Sequence, residues 1–480
     1  MLALDALRSL SHDRHRTLLS LLLLVALVLV IGAFSLCHHG QLVYMGGMAE
    51  EYLFLAGNLN DYGTFGFGSE AFFLRPPAYS WFLALGLRLA GLFCDPSCVV
   101  LHAVQVAAWA QCLVLATGAG LFLLWTTPFL GRTIAFVAAL AFAANPYVLA
   151  LVGLIHYEIL HLVLLVCSCY TLDRVLAAHE ENAPRMLAAG FLWGVTTLVR
   201  PLTLALPPFM FAALALRGRR LGIVSRQWAV FCLGMGLAIL PWTVRNYVVS
   251  GAVIPVNAQA WAAIWGSTVR TPIADPNQYG WYTIARPKFL PLYRKATGLE
   301  DYDLISSLRH NLDLEAALKQ EAIANIRSHP GVYLRNCAAN FLSFNLDMST
   351  VILREFESVR QPGTSVTSLW FTPGHSADAL PSQSAGRFLV YVWILTILAA
   401  GGTVLALRRR DRRLLVAGAT YLCLCLAHTF TFMDVMYYYV KLPFLFLFAF
   451  YGLTLCHSLV GRIAAGLLGL TALWMTIGVL

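Results

Sequence analysis

The chain has 480 residues, of which 59% are hydrophobic and 12% charged, with a mean hydropathy of +0.70. That balance excludes an ordinary soluble globular domain. The net charge of +9 does not point to nucleic acid, because the basic residues fall in short bursts between apolar runs of about 18–25 residues, the length that crosses a bilayer.

These runs predict an all-α polytopic membrane protein. The first, 17–36, is too long and too apolar for a signal-peptide core and has no evident cleavage site, so it reads as a retained helix. A first outer loop occupies 37–97. Further spans are expected at 98–125, 133–152, 159–176, 187–200, 201–216, 228–247, 386–407, 414–432, 442–458 and 463–480, about eleven in all. The basic bursts are Arg8/Arg14/Arg16, Arg132, Arg174/Arg185, Arg217/Arg219/Arg220/Arg226, Arg408–Arg410 with Arg412/Arg413, and Arg462. Placing all of them in the cytoplasm gives one consistent threading. In that threading segment 76–93 must stay on the outer side as a horizontal or re-entrant helix. If it crossed, Arg132 and the Arg217–Arg226 burst would lie outside.

The expected organisation is an N-terminal membrane module over 1–250, an extracytoplasmic segment over 251–386 and C-terminal transmembrane helices over 387–480. Within the middle segment, Asp313–Ser328 has apolar residues at helical spacing, opened by an Asp cap and closed by His329-Pro330-Gly331. A second helix is expected over 332–344, and 355–385 reads as a loop. Cys94 and Cys98 fall in the outer loop, where either a disulfide or two free thiols fit, and no cysteine spacing resembles a zinc site. Gly234 and Gly236 sit inside an apolar run and read as helix packing, not as a phosphate loop.

Ionisable residues at the outer ends of spans are the candidate site, because charge beside hydrocarbon is costly and usually functional. They are Glu50 and Glu51 with Asp61, then Arg75, His156 with Glu158, Arg200, Arg245, and the MDVMYYYVK cluster with Asp434, Tyr437–Tyr439 and Lys441. A carboxylate among them could deprotonate an acceptor hydroxyl, and the cations could hold a phosphate. Each has a plainer alternative. The first-loop acids suit a solvated interfacial helix, Arg200 and Arg245 could snorkel to headgroups, His156 could be a polar core contact, and the tyrosines could form an aromatic belt.

Taken in order, the residues resemble those of a GT-C type integral-membrane glycosyltransferase, of the group with protein O-mannosyltransferases and the lipid A aminoarabinose transferase (glycosyltransferase family 39-like). The matching pieces are Glu50-Glu51-Tyr52-x-x-x-Ala56-x-x-Leu59, Arg75-Pro76-Pro77-x-Tyr79, Asn145-Pro146, His156-Tyr157-Glu158, Gly194-x-x-x-Leu198-x-Arg200-Pro201, Leu240-Pro241-Trp242-x-x-Arg245-Asn246-Tyr247, and Tyr439-x-Lys441-x-Pro443. The resemblance implies a GT-C fold with two interfacial helices in the first outer loop, and a polyprenyl-phosphate sugar donor. It also implies direct displacement assisted by a first-loop acid. That acid is commonly an Asp three or four residues before Tyr52, where this chain has Ala49 and Met48, so the role passes to Glu50 or Glu51, or to Glu158. The last motif also departs, with Tyr439 and Val440 where the family usually has Arg-Tyr, leaving Lys441 as the phosphate contact.

The expectation is an envelope glycosyltransferase of the bacterial inner (plasma) membrane, its site facing the periplasm or exterior. Catalytic candidates are Glu50, Glu51 and Glu158. Substrate-binding candidates are Arg75, Tyr79, His156, Arg200, Arg245, Tyr439 and Lys441. Its partners would be the lipid-linked sugar, a lipid, glycan or protein acceptor, and the bilayer. No cofactor is required by the residues, although the carboxylates leave Mg²⁺ or Mn²⁺ open. The other readings are a non-catalytic binder and a transporter of lipid-linked sugar. A transporter predicts inverted repeats and broken helices, which the sequence does not display.

Overall fold

A computed structural model describes residues 2–38, 48–67, 70–92, 99–178, 182–218, 220–269, 286–298, 300, 311–346, 383–431, 435–455, 461 and 463–471. Cys94, Cys98, Asp434 and residues 355–382 lie outside the described residues, as does the side chain of Glu50.

The architecture is a helical bundle. In chain order it comprises α1 (Leu2–His38), α2 (Met48–Asp61), α3 (Pro77–Gly91), α4 (Val99–Leu130), α5 (Arg132–Ala143), α6 (Pro146–Val152), α7 (Glu158–Ala177) and α8 (Ala183–Val199). A 3-10 turn (Pro201–Ala205), α9 (Leu206–Leu216) and α10 (Leu221–Ser250) follow. The segment expected from sequence to be the outer one contributes α11 (Ala260–Val269), α12 (Arg286–Thr297), α13 (Asn311–Ser328) and α14 (Pro330–Leu346). The chain then returns through α15 (Gln383–Arg408), α16 (Leu415–Phe430), a 3-10 turn (Val435–Lys441) and α17 (Leu442–Leu455). The described sheet is one antiparallel pair, Gly66–Phe67 (β1) with Glu70–Ala71 (β2).

Among the described residues seven helices are long and apolar enough to cross a membrane, and α5 with α6 passes the same test only as a pair, bent by 54° at the break between them. The two shorter apolar helices, Ala183–Val199 and Pro201–Leu216, coincide with the short pair expected from sequence. Together these account for ten of the expected segments, and the eleventh is described over 463–471. The bend divides the expected 133–152 span and corrects the expectation that the chain has no broken helix. Pro146 has no N–H and its ring opposes helix continuation, so the chain stops at Ala143 and restarts with the Asn145 side chain accepting from Tyr147 N at 3.0 Å. A second proline acts likewise. Arg200 precedes Pro201 and is extended (φ −149°, ψ 123°), which ends α8 and turns its side chain out of the helical path.

α3 spans about 22 Å at 1.5 Å per residue, short of the roughly 30 Å hydrocarbon core. It packs along α2 and α4. Tyr79, Leu83 and Ala90 face inward, while Trp81, Leu85 and Leu89 are exposed at four-residue spacing, as an interfacial helix requires. In the outer segment, α13 begins at Asn311, two residues before the expected Asp cap, and Pro330 starts α14 directly after α13 ends. Trp265, Phe289, Tyr293, Leu314 and Leu318 give this segment its own small core. It is tied to the bundle where α16 ends: Asn340 Nδ2 donates to Thr431 O (2.9 Å) and Tyr333 Oη to Phe430 O (3.1 Å).

Arg217, Arg412 and Arg413, from two of the basic bursts, meet at one end of the bundle. Arg217 lies 3.5 Å from Asp173, which accepts from Trp125 Nε1 (2.7 Å), and Arg412 donates to Arg217 O (2.8 Å). Asp411 accepts from Arg413 and from Tyr451 Oη (2.8 Å), and the bonds from Arg413 hold its carboxyl below the usual range. The ends of α7, α8 and α10 that carry Glu158, Arg200 and Arg245 are the opposite ends of the same helices.

Gly234 confirms the packing reading of its run. A Cβ there would stand 2.1 Å from Leu187 O of α8, whereas nothing lies within 4 Å at Gly236. Gly234→Val should therefore lower the thermal midpoint of the detergent-solubilised protein through a loss of about 1–3 kcal/mol or more. Gly236→Ala should leave it unchanged or slightly raised.

Candidate active site

Helix breaks and loop ends deliver the site. α2 carries Glu51 and Tyr52, and the extended stretch before Pro76-Pro77 carries Arg75. The non-helical turn 153–157 carries His156 and Tyr157 into the first residue of α7, Glu158. Arg200 comes from the end of α8, and Tyr439 and Lys441 from the 3-10 turn before α17.

Arg75 Nε donates to Glu51 Oε2 at 2.5 Å, with both side chains partly exposed (15% and 12%), and Arg75 Nη1 reaches Gln259 Oε1 at 3.4 Å. Next to Glu51 on the helix, Tyr52 is buried and meets the rings of Tyr79 (5.2 Å), Tyr157 (5.9 Å) and His156 (6.0 Å) edge-on. Tyr52 senses the charges of Arg75, Glu51, Glu158 and Arg200 together, so it sits at the centre of the group. Burial drives the Tyr52 and Tyr79 phenols above their ordinary range, and both remain protonated donors.

His156 Nδ1 and Glu158 Oε2 are hydrogen-bonded to each other. Their second polar atoms, His156 Nε2 and Glu158 Oε1, are buried with no hydrogen-bond partner among the described residues. Behind them lies Arg200, 5% exposed. Its Nη1 donates to Tyr439 Oη (3.1 Å) and its Nη2 to His428 Nε2 (3.3 Å), and the guanidinium stands over the rings of Tyr439 and Tyr157. Because Tyr439 Oη accepts from Arg200, its own proton is directed to His161 Nδ1 at 2.9 Å. His428 Nδ1 donates to Leu424 O (2.7 Å), which leaves Nε2 as the acceptor for Arg200. The His428 ring stacks on Phe344 of α14 at 4.8 Å. Lys441, fully buried, donates to Phe344 O at 2.5 Å and stands over the Tyr438 ring.

The sequence candidates thus fall into three groups. Glu51, Arg75, His156, Glu158, Arg200 and Tyr439 form one continuous cluster around Tyr52, with Lys441 at its far edge beyond His428 and Phe344. Tyr79 is adjacent but closed in, its hydroxyl donating to Gln111 Oε1 at 3.0 Å. Arg245 is directed to the loop backbone, donating to Phe72 O (2.8 Å) and Phe65 O (2.5 Å) and lying over Trp242. It clasps the β1–β2 hairpin that leads to Arg75.

Sequence reasoning missed Tyr52 and Tyr157 as site residues, and also Gln111, Gln259, Phe344 and His428. Gln111 and His428, polar side chains inside apolar runs, carried a signal of their own. Among the described residues no three His, Cys, Asp or Glu side chains converge to hold a metal ion, since Glu51 is engaged by Arg75 and the His156–Glu158 pair offers two ligands at most. A cavity of about 510 Å³ opens elsewhere, in the outer segment, between Trp265, Lys288, Glu321 and His329.

No protein-family model matches the sequence, and no curated protein matches it. Among solved structures, the archaeal oligosaccharyltransferase AglB from Archaeoglobus fulgidus, in complex with an inhibitory peptide and a dolichol-phosphate, is similar with a TM-score of 0.52 at 14% identity. That match covers 96% of this chain and 55% of AglB. The same enzyme in complex with Zn and sulfate gives 0.52 at 13% identity, covering 95% and 52%. ArnT from Cupriavidus metallidurans bound to undecaprenyl phosphate gives 0.41 at 16% identity, covering 93% and 78%. The chain spans about half the length of the oligosaccharyltransferase it matches. The likeness shows the fold alone: this chain is a polytopic helical membrane protein with a GT-C-type fold.

The clasp by Arg245 is open to test. Arg245→Ala should speed hydrogen exchange of the 65–72 amides about tenfold or more in the full-length protein. Arg245→Lys should fail to restore it, because one ammonium cannot span two carbonyls as a guanidinium fork does.

Proposed function

We propose that the chain is a glycosyltransferase that moves a sugar from a polyprenyl-phosphate donor to a lipid, glycan or protein acceptor by direct displacement. The supporting observation is the Glu51–Arg75 pair standing with His156–Glu158 and Arg200 around Tyr52, at the ends of the helices opposite the basic bursts. By the positive-inside rule that end faces away from the cytosol, which suits the outer face of a bacterial plasma membrane.

Glu51 is the base in this reading. It keeps 12% exposure, whereas Glu158 at 1% is closed to an incoming hydroxyl. The acceptor oxygen attacks C1 of the sugar as its proton passes to Glu51. The C1–O bond to the phosphate breaks, and its electron pair leaves on polyprenyl phosphate, with inversion at C1. Arg75 is the cation a phosphate meets first, and exchanging Glu51 for phosphate both anchors the donor and frees the base. Arg200, held by Tyr439 and His428, supplies positive potential behind it. Tyr79, Arg245 and Lys441 act through neighbours in this geometry: all three donate to groups of the protein itself, and Lys441 is covered by Phe344. In this reading the segment 251–386, between the membrane modules 1–250 and 387–480, helps choose the acceptor.

A non-catalytic binder is the second reading, favoured by the engagement of Glu51 with Arg75. In a strain lacking the gene, the wild-type allele should restore an envelope glycan mass, and Glu51→Gln should reduce it about 100-fold or more while the purified variant still binds undecaprenyl phosphate. Full restoration by both Glu50→Gln and Glu51→Gln would remove the first-loop base. A wild-type allele that binds undecaprenyl phosphate yet restores no glycan mass would favour the binder.

A further inference from the structure

We infer that Gln111, in the transmembrane helix α4, is a positioning residue that sets the distance between the two carboxylate-bearing parts of the site. Its functional part rests on the transfer reading above.

Gln111 is fully buried within a crossing helix, where an unpaired amide is costly. Its Nε2 donates to Val152 O and Leu154 O, both at 2.8 Å, and its Oε1 accepts from Tyr79 Oη at 3.0 Å. Both amide hydrogens and the carbonyl are thus in use.

The break between α6 and α7 explains the demand for those donors. In a continuing helix, His156 N–H would bond to Val152 O. Here it bonds to Leu154 O at 2.9 Å, and regular pairing resumes only with His161 N to Tyr157 O. Val152 O therefore loses its helical donor at the point where the chain turns to present His156, Tyr157 and Glu158. Gln111 replaces that donor from a neighbouring helix, and its second N–H supports Leu154 O.

The other end of the amide holds α3. Tyr79 stands edge-on to Tyr52, the next residue after Glu51, and Tyr52 in turn meets His156 and Tyr157. One side chain consequently connects the turn carrying His156 and Glu158 with the first-loop helices carrying Glu51 and leading from Arg75. Gln111 touches none of these ionised groups itself. It acts by fixing the backbone of one and the aromatic support of the other.

The test uses Gln111→Met, similar in shape but without the amide, on the full chain in nanodiscs. Exchange of the 152–161 amides should accelerate about tenfold or more while α15–α17 are unchanged. In the gene-deleted strain the restored glycan mass should fall about 100-fold, the effect of roughly 1 Å of misplacement. The dissociation constant for undecaprenyl phosphate should stay within about threefold of wild type, because Arg75 and Arg200 are untouched. Tyr79→Phe, which removes only one of the three bonds, should show a smaller product loss and leave 152–161 protected. Unchanged exchange at 152–161 in Gln111→Met overturns the inference, as does a loss of undecaprenyl phosphate binding in step with product, which would mark a general structural role. If the wild-type allele restores no glycan mass, the transfer reading fails, while the exchange measurement still decides the placement of Gln111.

Discussion

A guanidinium withdrawn from water beside a lipid bilayer must find its partners within the protein, and Arg200 is where this fold meets that requirement. Removing one such partner costs about 1.5–3 kcal/mol, the worth of a hydrogen bond to a charged group. The partners of Arg200 come from distant stretches of chain: Tyr439 before α17, His428 in α16 and the Tyr157 ring before α7. Satisfying one cation therefore draws several helix ends to one place. Phe344, stacked on His428, extends the same contact to the outer segment.

The same constraint explains why the site is built from helix breaks. Within hydrocarbon a regular helix satisfies its own backbone, so a chemically useful turn must be paid for by side chains or confined to an end. Pro146 and Pro201 introduce two of the irregularities and the turn between α6 and α7 a third; Asn145 caps the restart after the first, and Gln111 supplies the bonds that the third removes. At the opposite end of the bundle, Asp173 pairs with Arg217, and Asp411 accepts from Arg413 and Tyr451. The two ends do different work with similar residues.

Much of this was legible in the sequence. Apolar run length and the alternation of arginine bursts located the spans and required 76–93 not to cross, because both depend on local composition and counting. Glu158 and Arg200 stood out because charge inside an apolar run demands a reason. The bend in 133–152 was less visible, since Asn145-Pro146 lies within hydrophobic sequence that carries no change in composition. Partner choice was illegible. Arg245 and Arg75 look alike in sequence, yet one clasps the carbonyls of Phe65 and Phe72 and the other pairs with Glu51. Nothing in the sequence of Phe344 marks it as the cover of Lys441, because that depends on how the outer segment docks.

The central claim is that this group of side chains receives the phosphate of a polyprenyl chain. A structure of the full chain with undecaprenyl phosphate tests it most directly. The account predicts a phosphate oxygen about 3 Å from the Arg75 guanidinium, with the Glu51–Arg75 bond opened and Arg200 facing the same anion. Undecaprenyl phosphate bound with its phosphate away from Arg75 and the Glu51–Arg75 pair intact would contradict it.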